Sequence, residues 1–157
     1  MPTLKAYACR LRGFNDETIE YAATAAKARY SFLLFVRDPY PDATFKDVSV
    51  RRAPESDMVM PDLPPVVANL NDREREIILH TYGGGSHVRP EQWGYRNHYC
   101  VAPSDQTLNR LRDMGLFRGP FGVDDKGDTP GWCGAFWYLT DAGKDLARAL
   151  IAQRETV

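Results

Sequence analysis

The sequence predicts an α+β fold in two parts: a small β-β-α-β sheet-and-helix domain over residues 1–53, then a larger domain over 70–157. Three observations predict it. Lys5 to Arg12 alternates with the period of a strand, while Ala28, Phe32, Phe35 and Val36 recur at helical spacing. Pro54, Pro61, Pro64 and Pro65 concentrate in residues 54–69, which marks a linker between the parts. Ser104 to Leu150 reads as helix, strand, polar turn, strand and helix.

A chain of 157 residues suits one ordinary domain or two small ones. Its 43% hydrophobic and 26% charged residues are those of a globular protein. A formal charge of −1 excludes a global field that would draw the chain to nucleic acid or a membrane. The first residues lack a charged-then-apolar leader pattern, and no apolar run approaches the roughly 18 residues of a membrane span. A cytoplasmic protein without membrane contact is the expectation. Cys9, Cys100 and Cys133 form no paired framework, so reduced, partly buried thiols are expected.

In the first strand Tyr7, Cys9 and Leu11 share one face, and Ala6, Ala8 and Arg10 the other. Gly13 to Asp16 forms a turn. Glu17 to Ala23 mixes strand formers (Thr18, Ile19, Tyr21) with alanines. The strand is preferred, because a hairpin gives Ile19 and Tyr21 a face to share. Thr24 caps a helix running to about Arg37, with Leu33 widening its buried face, and Pro39 and Pro41 end it. Thr44 to Arg52 is a third strand. The linker's Met58, Val59, Met60, Leu63, Val66 and Val67 are too apolar for a solvated tether, so part of it packs. Asn71 and Glu74 resemble a capping box for a helix to about Tyr82, which Gly83 to Gly85 stop. Val88 to Pro103 shows no clear period and reads as a long loop with at most a short helical turn. Ser104 caps the next helix, Leu108 and Leu111 share its face, and Gly115 takes a left-handed ending that folds Leu116 onto Leu111. Two strands, Leu116 to Val123 and Trp132 to Leu139, flank the turn formers Asp124 to Gly131. Thr140 and Asp141 restart a helix with Leu146, Leu150 and Ile151 as its stripe. Gly143 lets its first turn pack close to the hairpin.

The pattern Leu108-x-x-Leu111-x-x-x-Gly115-Leu116 resembles the recognition helix and wing of MarR- and PadR-like winged-helix proteins. Leu139-Thr140-Asp141-Ala142-Gly143 resembles their strand-to-helix corner. The resemblance covers the last third of the chain and implies a winged-helix-like domain over 70–157. It implies that Gln106, Asn109, Arg110 and Arg112 face a partner, as side chains able to bond base edges or phosphates. One departure is the wing tip, where Asp124, Asp125 and Asp128 outnumber Lys126 and would repel phosphate. Ala28-Arg29-Tyr30 and Phe45-Lys46-Asp47-Val48-x-Val50-Arg51-Arg52 are similar to small phage and prophage proteins of unknown role.

Two further groups are candidates for binding. Arg10, Arg12, Arg51 and Arg52 would cluster if the first and third strands are adjacent, gripping phosphate or an acidic protein face, or standing as a solvated edge balanced by Asp47 and Glu20. Trp93, Tyr95, Arg96, Asn97, His98 and Tyr99 form either a polar recognition cluster among rings or a packed loop. In the packed loop, preferred here, Asn97 and His98 satisfy backbone groups. Zinc binding by His87, His98, Cys100 and Cys133 lacks a Cys-x-x-Cys or His-x-x-x-His pair, so no metal is expected. Cys100 with His80 or His98 lacks a third member or an oxyanion signal. Gly83-Gly84-Gly85-Ser86 lacks the ending of a phosphate loop, and the Asp124 turn lacks calcium-loop ligand spacing.

The expectation is a non-enzymatic binding protein of a mobile element, without cofactor, that contacts DNA or a nucleoprotein. The alternatives are a phage-type inhibitor or adaptor of a host protein complex, such as a CRISPR effector, and a thiol or metal enzyme.

Overall fold

The computed structural model describes residues 1–124, 126–129 and 134–156. The fold is mixed α+β and divides into two compact units, Met1–Asp62 with the C-terminal turn from Ala152, and Leu63–Ile151.

The first unit runs β1 (Thr3–Leu4), β2 (Ala6–Leu11), β3 (Thr18–Tyr21), α1 (Ala25–Val36), β4 (Val48–Arg52) and β5 (Met58–Val59). β2 lies central in an antiparallel sheet of order β3-β2-β4, with Cys9 opposite both Thr18 and Val50, and Leu11 opposite Val48. The Thr24 hydroxyl accepts the Lys27 N–H at 3.2 Å and starts α1. Tyr7, Cys9, Leu11 and Val48 close over Ala28, Phe32, Leu33 and Val36. Each large apolar side chain so buried contributes about 1.5–3 kcal/mol.

This unit corrects several sequence expectations. Phe35 is 48% exposed, because Leu33 rather than Phe35 completes the inner stripe. The third strand starts at Val48, not Thr44. The Asp47 carboxylate accepts the Thr44 N–H (3.0 Å) and hydroxyl (2.6 Å), which winds Phe45–Asp47 into a 3-10 turn. β2 is not half-buried: Ala6 and Ala8 are buried on the second face too, against Ala53. The unit also continues past residue 53, since β5 pairs with β1 and the Met60 N–H reaches the Pro2 carbonyl at 2.9 Å.

The second unit runs α2 (Asp72–Tyr82), β6 (His98–Val101), α3 (Gln106–Asp113), β7 (Phe117–Phe121), β8 (Ala135–Leu139) and α4 (Asp141–Thr156), the last counted with it as far as Ile151. Asn71 and Glu74 form a reciprocal cap at α2, each carrying a side-chain oxygen 2.9 Å from the other's N–H. Gly83 closes α2 in the left-handed region (φ 75°). The antiparallel sheet has the order β6-β8-β7. Ala135, Trp137 and Leu139 face inward. Trp137 and Leu139 join Ile77, Ile78, Leu108, Leu111, Leu146 and Leu150 in one core.

Here the expected long loop is corrected: residues 88–103 hold a 3-10 turn at Pro90–Gln92 and the strand β6, whose Tyr99 and Val101 pack on the core. The hairpin strands are shorter than expected, and the expected turn and strand residues Asp125 and Pro130 to Cys133 lie outside the described residues. Among the described residues no helix is long and apolar enough to cross a membrane.

Candidate functional site

α3 is positioned by its cap and its buried stripe. The Asp105 carboxylate, not Ser104, accepts the Leu108 N–H at 2.9 Å. Leu108 and Leu111 are fully buried, which turns Gln106 and Arg110 outward and leaves Asn109 and Arg112 half-buried. At the far end the Gly115 N–H donates to the Arg112 carbonyl and the Leu116 N–H to the Leu111 carbonyl, 2.8 and 3.0 Å. The chain then turns directly into β7.

Two of the four expected partner-facing side chains are occupied within the fold. Asn109 Nδ2 donates to the carbonyls of Pro103 (3.2 Å) and Asp105 (2.8 Å), tying down the loop that enters the helix. Arg110 bridges the buried carboxylate of Glu74 and the Asn69 carbonyl (2.9 Å). Burial raises the Glu74 pKa, but bonds from Arg110 and the Asn71 N–H outweigh it and hold the carboxyl below its usual range. Gln106 is exposed. The Arg112 side chain is 40% exposed and pairs with its neighbour Asp113 (3.0 Å), a surface pair of small value.

β2 and β4 are adjacent, yet the four arginines do not make one patch. Arg51 reaches over Ala8 to Glu17 (2.7 Å) and also meets Glu55 (3.5 Å). The Arg51 hydrogen bond holds the Glu17 carboxyl below its usual range. Arg52 lies opposite Tyr7, with its guanidinium 5.5 Å from the ring centre, and binds Asp57 (2.5 Å) and the Ala6 carbonyl (2.8 Å). Arg10 and Arg12 are exposed. Glu17, Glu55 and Asp57 pair with Arg51 and Arg52, and the charge of Arg12 acts on the expected Asp47.

The Trp93–Tyr99 group is split by β6. Trp93 Nε1 donates to the Val88 carbonyl (3.3 Å), and Tyr95 is 67% exposed. The Asn97 side-chain oxygen accepts the Leu139 N–H (3.2 Å), and Arg96 Nε donates to the His98 carbonyl (3.2 Å). Tyr99 points inward, edge-on to His80. Burial, then the charges of Arg96 and His87, hold the His80 imidazole below its usual pKa. His98 points outward.

Beside His98 lies a surface the sequence analysis missed. Phe136 and Tyr138, the alternates of Ala135, Trp137 and Leu139, face away from the core. In register with them stand His98 and Cys100 on β6, and Arg118 and Phe121 on β7. His98 packs edge-on to Phe136 (centroids 6.0 Å), Phe121 edge-on to Tyr138 (5.7 Å), and the Arg118 guanidinium lies 5.7 Å from the Tyr138 ring centre. Phe136 and Tyr138 are aromatic at alternate positions of a strand whose other positions are also apolar. That pattern signals rings on both faces.

Among the described residues no group of three His, Cys, Asp or Glu is placed to hold a metal ion; Cys133, one of the sequence-stated zinc candidates, lies outside them. His98 and Cys100 share a face of β6, two positions apart. Comparison with models of protein families, with curated proteins and with solved structures gives no match to this chain.

Proposed function

We propose that this chain is a non-catalytic binding protein whose second unit is a winged-helix-like module that contacts duplex nucleic acid or a nucleoprotein. The observation that carries the proposal is the order of elements: helix, strand, helix, hairpin, helix, with the first strand paired to the last (β6-β8-β7). That order makes α3 the helix that leads into the hairpin, with Gln106 exposed and Arg112 half-buried on its surface. The resemblance of Ala28 to Tyr30 and of Phe45 to Arg52 to small phage proteins is the ground for proposing a mobile-element origin, and a cytoplasmic setting is part of the same proposal.

Duplex binding measured across a salt series tests the proposal. The protein is expected to bind at low salt and to weaken as salt rises, because counterions released by phosphate contacts drive association. Gln106→Ala with Arg112→Ala is expected to cost about 1–3 kcal/mol and to reduce the salt slope by about 1. Arg110 is unsuitable for this test because its loss perturbs the fold. Absence of duplex binding at low salt would overturn the proposal.

One observation favours a second reading, a protein adaptor or inhibitor acting on a host complex. Tyr30 (54% exposed) stacks on Phe45 (43% exposed) at 6.3 Å beside exposed Leu34, a ring-rich apolar patch on the first unit. Tyr30→Ala with Leu34→Ala is expected to abolish recovery of a stoichiometric host partner. Undiminished recovery by that variant sinks this reading.

A further inference from the structure

We infer that the outer face of the β6-β8-β7 sheet is a stacking platform for single-stranded nucleic acid, a surface separate from α3. The inference starts from the cost of the arrangement. A sheet with one face on a core ordinarily turns polar side chains to water on the other. This sheet turns out Phe136, Tyr138 and Phe121, the last 47% exposed, in addition to His98.

The rings form two rows across three strands. His98, Tyr138 and Arg118 stand in one row, and Cys100, Phe136 and Phe121 in the next. Contacts between the rows join His98 to Phe136 (6.0 Å) and Tyr138 to Phe121 (5.7 Å), and within the first row Arg118 lies 5.7 Å from the Tyr138 ring centre. No carboxylate belongs to either row. The charged member of the rows is a cation, exposed Arg118 on the edge strand β7. Past β7 the chain reaches Asp124. Its Oδ1 already accepts the N–H groups of Lys126 (2.9 Å) and Asp128 (2.8 Å), which folds it into the turn.

Charge complementarity selects the occupant. Rings beside a cation, with no carboxylate among them, match a ligand that alternates planar faces with negative charge. In a duplex the base faces are stacked on one another and only their edges are presented in the grooves. Single strands can splay their bases onto aromatic side chains and guanidinium planes while basic groups track the backbone. The platform therefore takes a single strand, and ring faces give it little sequence preference.

The test uses the full chain with fluorescently labelled dodecamers of deoxythymidine and of uridine, and a duplex of the same length, at low salt. The expected result is binding of both single strands, weakened about tenfold by Phe121→Ala, a typical loss for one stacked base. Phe121→Tyr is expected to retain binding. Arg118→Ala is expected to weaken it and to flatten its salt dependence. Both sites are exposed, so the variants are expected to keep the circular dichroism of the parent. Failure to bind either single strand at low salt overturns the inference and turns the face over to a protein partner. Binding unchanged in Phe121→Ala and Arg118→Ala overturns it as well. Duplex binding that depends on Gln106 and Arg112 alone would leave the α3 proposal standing and this one refuted.

Discussion

Gly143→Ala is expected to destabilise the second unit by about 1–3 kcal/mol, although alanine is the better helix former. Gly143 lies buried in the first turn of α4. A methyl group there would overlap the Leu116 carbonyl oxygen and stand 2.9 Å from Leu139 Cδ2. The carbonyl cannot retreat freely. It already accepts the Thr140 N–H (3.0 Å) and hydroxyl (3.2 Å), bonds that fasten the end of β8 to the end of α3. Helix propensity alone gives the opposite sign, a gain of about 1 kcal/mol. Urea unfolding decides between them: the expected result is a lower midpoint with an unchanged slope. A raised midpoint would show that the corner has room to spare.

Arg110→Ala is expected to cost about 2–3 kcal/mol. Removing one partner of a fully buried pair costs roughly 3–5 kcal/mol, and the value is reduced here because Arg110 is partly in solvent. What remains is the Glu74 carboxylate, 1% exposed, with the Asn71 N–H as its donor among the described residues. The pH dependence carries a second sign. In the parent Glu74 has a folded pKa below its ordinary 4.5, so its contribution is in place above that value and is lost as pH falls through the folded pKa. In Arg110→Ala the burial effect is no longer outweighed by the guanidinium, and protonation relieves the buried charge. The stability gap between parent and variant is therefore expected to narrow as pH falls first through the raised pKa of the variant and then through the depressed pKa of the parent. Unfolding midpoints at neutral and acid pH measure it; a gap that does not change with pH would contradict a buried, Arg110-dependent carboxylate.

Local chemistry made much of the fold legible. Thr24, Asn71 with Glu74, Gly115 and the Thr140–Gly143 corner each act within a few residues of themselves, and each was readable as a cap or close contact. β6 was not legible, because its inward Tyr99 and Val101 alternate with His98 and Cys100, residues that carry no clear polar signal. The start of β4 was hidden by the Thr44–Asp47 bond, which competes locally with the strand. The candidate site was less legible still. Arg110 looks like a base reader along the helix, and only Glu74, 36 residues earlier, shows that it is a tether. The arginines of β2 and β4 were correctly brought to neighbouring strands, but Glu17, Glu55 and Asp57 come from flanking turns whose approach depends on the register of three strands.

The central claim is that the second unit contacts nucleic acid through named surfaces. The most direct test is titration of isotope-labelled protein with unlabelled duplex at low salt, following backbone amide resonances. The expected result is progressive shifts concentrated at Gln106 to Asp113, lost as salt is raised. Absence of shifts, or shifts confined to residues 1–62, would contradict the account.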